Sequence, residues 1–177
     1  MPTAYIGMGG NLASWAGAPE ATLAAAALRL DSLGRVVRLS SLYSTAPVGF
    51  ADQPRFVNAV VALETELEPR ALLVGLLAIE LEFGRERTAE VANGPRTLDL
   101  DILLFGDLQI REPGLEIPHP RLAERAFVLI PLHEIAPQAV VPGVSGTLEE
   151  LLISLRRGID SDAVVRVKRG LVTEICG

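Results

Sequence analysis

A single cysteine, Cys176, stands among 177 residues, so no disulfide can close within the chain. Lysine is almost missing: of 16 basic residues only Lys168 is lysine and the rest are arginine, a skew from which no function follows. Positive charge is in deficit overall, 16 against 22 acidic residues, for a net charge of −6. That balance argues against a general nucleic-acid or anionic-membrane surface, and any polyanionic ligand must be held by a local cluster. Long apolar runs are absent too; the longest, Ala71 to Ile79, is far too short to cross a bilayer. The first residues have neither a basic stretch nor a long apolar one, so no signal peptide is expected. Low-complexity tracts, internal repeats and linkers are likewise missing. What remains is one globular domain over residues 1–177, 49% hydrophobic, expected in the cytoplasm and as a monomer.

The most informative stretch is Gly94-Pro95-Arg96-Thr97-Leu98-Asp99-Leu100-Asp101-Ile102-Leu103-Leu104-Phe105. Alternate residues of a strand share a face, so Asp99 and Asp101 stand side by side while Leu98, Leu100, Ile102 and Leu104 take the other face. Two anions about 7 Å apart repel one another and lose hydration when buried. A hard divalent cation with oxygen ligands, Mg²⁺ above all, is the economical compensation. Arg96 follows the Gly-Pro turn and brings a guanidinium to the same place. An isolated Asp-x-Asp is more often a solvated edge or a salt-bridged pair; the apolar opposite face and the turn before it favour a site for phosphoryl chemistry.

Along the chain, Thr3–Met8 reads as a strand and Pro19–Leu33 as a helix closed by Gly34. Val36–Tyr43 is expected as one strand, Thr45–Pro54 as a loop and Phe56–Leu67 as a long strand. Arg70–Phe83 reads as a helix, Arg85–Pro95 as a polar loop and Thr97–Phe105 as the aspartate strand. Leu115–Ile117 is a short extended piece, Arg121–Ala136 a helix broken near Pro131, Leu148–Arg157 a helix and Ala163–Val167 a last strand. The order βαββαβ is that of a ferredoxin-like α+β domain.

Other candidates carry two meanings each. Arg85, Arg87 and Arg96 lie within twelve residues and suit bidentate phosphate binding, or form an ordinary solvated loop. Gly7-Met8-Gly9-Gly10-Asn11 lacks the Gly-Lys-Ser/Thr ending of a P-loop, and the glycine loop, lysine and aspartate set of protein kinases is missing. Glu80 shares a helix face with Leu73 and Leu77, either at the edge of that stripe or reaching into a site. His119, between Pro118 and Pro120, is a surface residue or a phosphate donor; His133 is a packing residue. Asn58 interrupts an apolar strand, and its amide suits a heterocycle edge. Phe56 and Phe127 are core residues or the two sides of a sandwich for a flat ring.

Taken in order, these residues resemble the 6-hydroxymethyl-7,8-dihydropterin pyrophosphokinases of folate biosynthesis. The resemblance runs through Ala4-Tyr5-Ile6, Ser40-Ser41-Leu42-Tyr43, Asp52 to Ala59, Ile79-Glu80, Gly94 to Phe105, Ile117-Pro118-His119 and Pro131 to Pro137. It implies a ferredoxin-like core in a three-layer αβα sandwich and transfer of the β,γ-diphosphate of ATP to the pterin hydroxymethyl oxygen, with AMP released. By the same resemblance Asp99 and Asp101 hold two Mg²⁺, and Arg85 and Arg96 act on the diphosphoryl group. Phe56 and Phe127 stack on the pterin, Asn58 with Thr45, Pro47 and Val48 reads its edge, and Glu80, Arg87, Ile102, His119 and Arg125 contribute to the ATP pocket. The chain departs from the family's pattern at Gly10, in the loop Glu90-Val91-Ala92-Asn93, at Gly114 and at Pro120. A nucleic-acid or small-ligand binding module is opposed by the acidic charge and the aspartate pair; the rivals that remain are a related phosphotransferase acting on a different hydroxymethyl heterocycle and a pterin binder without catalysis.

Overall fold

Alternation along one central strand decides the architecture. In β4 (Phe56–Glu64) Val57, Ala59, Val61 and Leu63 join one apolar cluster, while Val60 and Ala62 join a second on the opposite face. The first cluster packs under α1 (Pro19–Leu30) and α2 (Pro69–Glu82); the second packs under α3 (Ala126–Ile135) and α4 (Leu148–Arg156). The result is the α+β three-layer sandwich expected from the sequence. These statements rest on a computed structural model that describes residues 1–87, 92–158, 160 and 162–168. Glu90 and Val91 of the departing loop, and Cys176, lie outside the described residues. No described helix is long and apolar enough to cross a membrane.

The sheet is antiparallel throughout. β1 (Thr3–Gly10) pairs with β4 on one side and with β5 (Asp99–Phe105) on the other. β2 (Arg35–Leu39) and β3 (Leu42–Thr45) both pair with β4, and β8 (Val164–Lys168) pairs with β3, giving the order β5-β1-β4-β3-β8. Counting β2 and β3 as one interrupted strand, this is the ferredoxin-like connectivity. β6 (Ile110–Glu112) and β7 (Leu115–Ile117) form a separate ribbon.

Four local expectations need correction. The single strand over Val36–Tyr43 is two, because Ser40 breaks the ladder: its hydroxyl accepts from the Val60 N–H at 2.9 Å while its own N–H donates to the Val60 carbonyl. The first helix ends at Leu30, not Leu33, and Gly34 serves a different purpose from a helix cap. A Cβ there would stand 2.3 Å from the Glu64 carbonyl oxygen, so the close approach to β4 admits only glycine. The helix over Arg121–Ala136 is interrupted at Arg125, whose backbone is extended, and runs through Pro131. Pro131 removes one helical hydrogen bond, but Val128, Leu129, Leu132 and Ile135 are buried around it and packing outweighs that loss. Leu104 does not lie opposite the aspartates: the β1–β5 register slips between Tyr5 and Ile6, which pair with Leu104 and Ile102, and the extra residue turns Leu104 into the α3–α4 cluster.

Candidate active site

Asp99 and Asp101 pair with Gly9 and Gly7 of β1, so glycines stand beside the carboxylates on that face of the sheet. A Cβ on Gly9 would meet Asn58 Oδ1 at 2.5 Å; glycine therefore lets the Asn58 amide lie flat over β1. Asn58 is 8% exposed, and its Nδ2 donates to Thr45 Oγ1 at 2.6 Å across the β3–β4 pair. These side chains open into a cleft of about 280 Å³. Of the expected residues, Thr45, Pro47, Val48, Phe56, Asn58 and Phe127 line it together with Arg96, Asp99, Asp101 and Arg125.

The cleft has two chemically distinct ends. At one, Phe56 and Phe127 stand with Thr45 and Asn58 and the 46–48 backbone, an apolar slot with an amide at its edge. At the other, the two aspartates face Arg96, Arg121 and Arg125. Each phenylalanine carries an arginine: the Arg96 guanidinium lies 5.4 Å from the Phe56 centroid, and that of Arg125 lies 5.6 Å from Phe127. The aromatic end and the charged end are thus joined side chain to side chain.

The remaining expected residues sit behind this wall. Glu80 is 1% exposed, and its carboxylate accepts from the Leu100 N–H at 2.8 Å, Arg85 Nη1 at 2.9 Å and Arg87 Nε at 2.9 Å. Arg85, itself buried, donates onward to Asp99 and to the Leu98 carbonyl. Neither Glu80 nor Arg85 nor Arg87 lines the cleft; together they brace Asp99 from the rear. Ile102 is buried under α1 and α2, so the ATP-pocket contact expected of it is not available to its side chain. Its parity explains this: Leu100 and Ile102 point away from the face that Asp99 and Asp101 share. His119 also stays off the cleft wall. Its N–H donates to the Leu103 carbonyl, and its Nδ1 accepts from the Arg121 N–H at 3.1 Å. Burial first, then the Arg125 charge, lowers its pKa and keeps the ring neutral, with the proton on Nε2.

Asp101 is the electrostatically strained group. Burial, then the charge of Asp99, pushes its carboxyl up to about 6, with Arg125 pulling the other way. A cation is what relieves such a pair. Among the described residues no third acidic or histidine side chain completes a protein cage. Two carboxylates with room beside them match Mg²⁺, which keeps waters and takes substrate phosphate oxygens. The Arg96 Nε, buried without a hydrogen-bond acceptor and 3.5 Å from Asp99 Oδ2, is a donor left for an anion.

Several contributors were not expected. Asn11, 4% exposed, donates to Gln53 Oε1 and the Pro54 carbonyl and accepts from the Arg96 N–H at 2.9 Å. Gln53 in turn donates to the Phe50 and Asn93 carbonyls. The loops before β4 and β5 are therefore laced together over the cleft. Gly7, Gly9, Asn93, Arg121, Glu124 and Val164 also line it. Gly7, Gly9 and Asn11 belong to a motif already singled out, Gln53 to the stretch Asp52 to Ala59 and Asn93 to the departing loop, whereas Arg121, Glu124 and Val164 carried no local signal.

A model of the family 7,8-dihydro-6-hydroxymethylpterin-pyrophosphokinase (HPPK) matches residues 5–137. The chain is 49% identical over 140 residues to a 2-amino-4-hydroxy-6-hydroxymethyldihydropteridine pyrophosphokinase of Pseudomonas aeruginosa, covering 78% of this chain and 83% of that protein. A protein of the same name from Methylorubrum extorquens is 42% identical over 170 residues, 95% of this chain and 100% of that one. Among solved structures, wild-type HPPK-DHPS of Plasmodium falciparum matches with a TM-score of 0.67 at 16% identity over 86% of this chain. This chain spans 44% of that longer one, and the likeness bears on the fold.

Proposed function

The chain belongs to the 7,8-dihydro-6-hydroxymethylpterin-pyrophosphokinase family, and from that premise we propose which of its side chains carry the reaction. It is an ATP-dependent diphosphokinase that transfers the diphosphate of ATP to the hydroxymethyl group of 6-hydroxymethyl-7,8-dihydropterin, giving AMP and the pterin diphosphate in folate synthesis. The observation that carries the residue assignment is the two-ended cleft, an aromatic and amide slot joined through Arg96 to a carboxylate pair.

The pterin ring fits between Phe56 and Phe127, with the Asn58 amide and Thr45 on its hydrogen-bonding edge. Its hydroxymethyl group then points to the aspartate end. The hydroxyl oxygen attacks the β-phosphorus, the bond from that phosphorus to the α-phosphate oxygen breaks, and AMP departs. Asp99 and Asp101 are the acceptors at hand for the hydroxyl proton. Arg96, Arg121 and Arg125 supply charge to the transferring diphosphoryl oxygens, the largest service a protein gives such a reaction. Arg85 and Arg87, held on Glu80, keep Asp99 in place. Asp99 and Asp101 are the residues to hold two Mg²⁺, which when bound neutralise triphosphate charge and lower the hydroxyl pKa.

The test is AMP release from ATP and Mg²⁺ with and without the pterin. Pterin-dependent AMP is expected from the native chain. Asp101→Ala is expected to lower kcat by at least about 10³-fold while pterin still binds. Comparable turnover in that variant would remove the aspartates from the mechanism.

A further inference from the structure

Beyond residue 137, where the family match ends, β8 adds a strand to the sheet edge next to the cleft. Its register pairs Thr45 with Val164 and Tyr43 with Arg166. Thr45 faces the cleft, so its cross-strand partner Val164 faces it too, and Ala163 and Val164 both line the wall. The approach is fixed on three sides. The Ala46 N–H donates to the Ala163 carbonyl at 2.9 Å. Arg55 Nη2 bridges the Ser44 carbonyl at 3.1 Å and the Asp162 carbonyl at 2.9 Å. The Arg166 guanidinium lies 5.8 Å from the Tyr43 ring centroid, and the Tyr43 hydroxyl donates to Glu134 on α3 at 2.7 Å. That helix carries Phe127 at its other end.

We propose that residues 163–164 form the closed end of the pterin slot and set how bulky a heterocycle it accepts, a specificity element outside the region the family match covers. The inference rests on the pterin lying between Phe56 and Phe127. Ala163 is small where the wall meets the slot, and a larger side chain there takes ring space. Val164 supplies the apolar surface beside Thr45. Neither residue is near the carboxylate pair in the sheet, since β3, β4 and β1 intervene between β8 and β5. Substitutions here therefore act on the heterocycle and leave the nucleotide alone.

The experiment compares steady-state constants for both substrates in the full-length native chain, Ala163→Leu, Val164→Ala and, as a control, Asn58→Ala, with melting temperatures to confirm folding. Ala163→Leu is expected to raise the pterin KM about ten-fold or more, as 1–2 kcal/mol of overpacking does, with the ATP KM unchanged within about two-fold. Val164→Ala is expected to raise the pterin KM about three-fold, and it carries the test should Ala163→Leu fail to fold. A native pterin KM in both wall variants, beside an Asn58→Ala control weakened about ten-fold, overturns the proposal alone. A native pterin KM in the control as well overturns the placement of the pterin, and this inference with it.

Discussion

Glu80 shows how much a single buried carboxylate can organise. It meets two guanidiniums and a β5 backbone N–H while remaining 1% exposed, so removing it takes one of the two carboxylates from the buried Arg85, which keeps Asp99 and the Leu98 carbonyl. Loss of one partner from a buried ion pair costs about 3–5 kcal/mol. Glu80→Ala is thus expected to lower urea stability by that order and to cut kcat through a displaced Asp99. Glu80→Gln keeps the shape but not the charge and should lie between. An unchanged kcat in a folded Glu80→Ala protein would show that Arg85 does not set the Asp99 position. The aspartates were legible in the sequence because strand periodicity alone puts Asp99 and Asp101 on one face. The arginines were not separable in that way: Arg85, Arg87 and Arg96 look alike in one loop, and only the acceptor each finds distinguishes the cleft residue from the two behind it. Gly9 was legible only as a glycine. Its purpose, room for the Asn58 amide, depends on a strand 49 positions away in the register Gly9–Asn58. Gly9→Ala is expected to raise the pterin KM about ten-fold by moving that amide, with stability falling much less than in Glu80→Ala.

At the scale of elements, the helix that bears Phe127 is tied to the sheet by Glu134. This carboxylate accepts from the Ser41 N–H at 3.0 Å, from Ser41 Oγ at 2.6 Å and from the Tyr43 hydroxyl at 2.7 Å. Burial alone would raise its pKa, but the hydrogen bonds from Ser41 and Tyr43 outweigh burial and depress it. A carboxyl depressed in the folded state binds fewer protons there than when unfolded. Its contribution is therefore full above the unfolded value of about 4.3 and is lost as pH falls through the lower folded value. The melting temperature of Glu134→Gln should accordingly approach that of the native chain as pH drops from neutrality toward 3. A constant gap across that range would mean that Glu134 contributes packing and not charge. Ser41 and Tyr43 belong to the segment expected as one uninterrupted strand. The alternation of apolar residues carried through Ser40, and nothing local announces that its hydroxyl will substitute for a ladder partner. Pro131 misled in the opposite direction, because a local rule about proline was overruled by burial on both sides of α3.

Across the whole molecule, the sheet separates two cores with different duties. The α1–α2 side is mainly apolar, with Thr22 and the Glu80–Arg85 pair among its buried polar members; the α3–α4 side shares its space with the cleft. The βαββαβ order was readable because each strand and helix carries its own periodicity. β8's place on the β3 edge was not, because edge pairing is a long-range choice that residues 163–168 do not encode by themselves. Leu30 on α1 and Leu129 on α3 are both 0% exposed, one in each core. Truncating either to alanine is expected to cost about 2–5 kcal/mol of stability, set by how far each cavity collapses. Their functional consequences should differ. Leu129 lies two residues from Phe127, so relaxation of α3 into its cavity shifts one side of the proposed pterin sandwich; α1 packs on the opposite face of the sheet. Pterin titration of folded protein should therefore show Leu129→Ala weakened by about three-fold or more and Leu30→Ala within about two-fold of native, since small misplacements near the reacting centre are costly. Equal pterin affinities at equal loss of stability would mean that the sheet transmits both disturbances alike, and that the two cores are mechanically one.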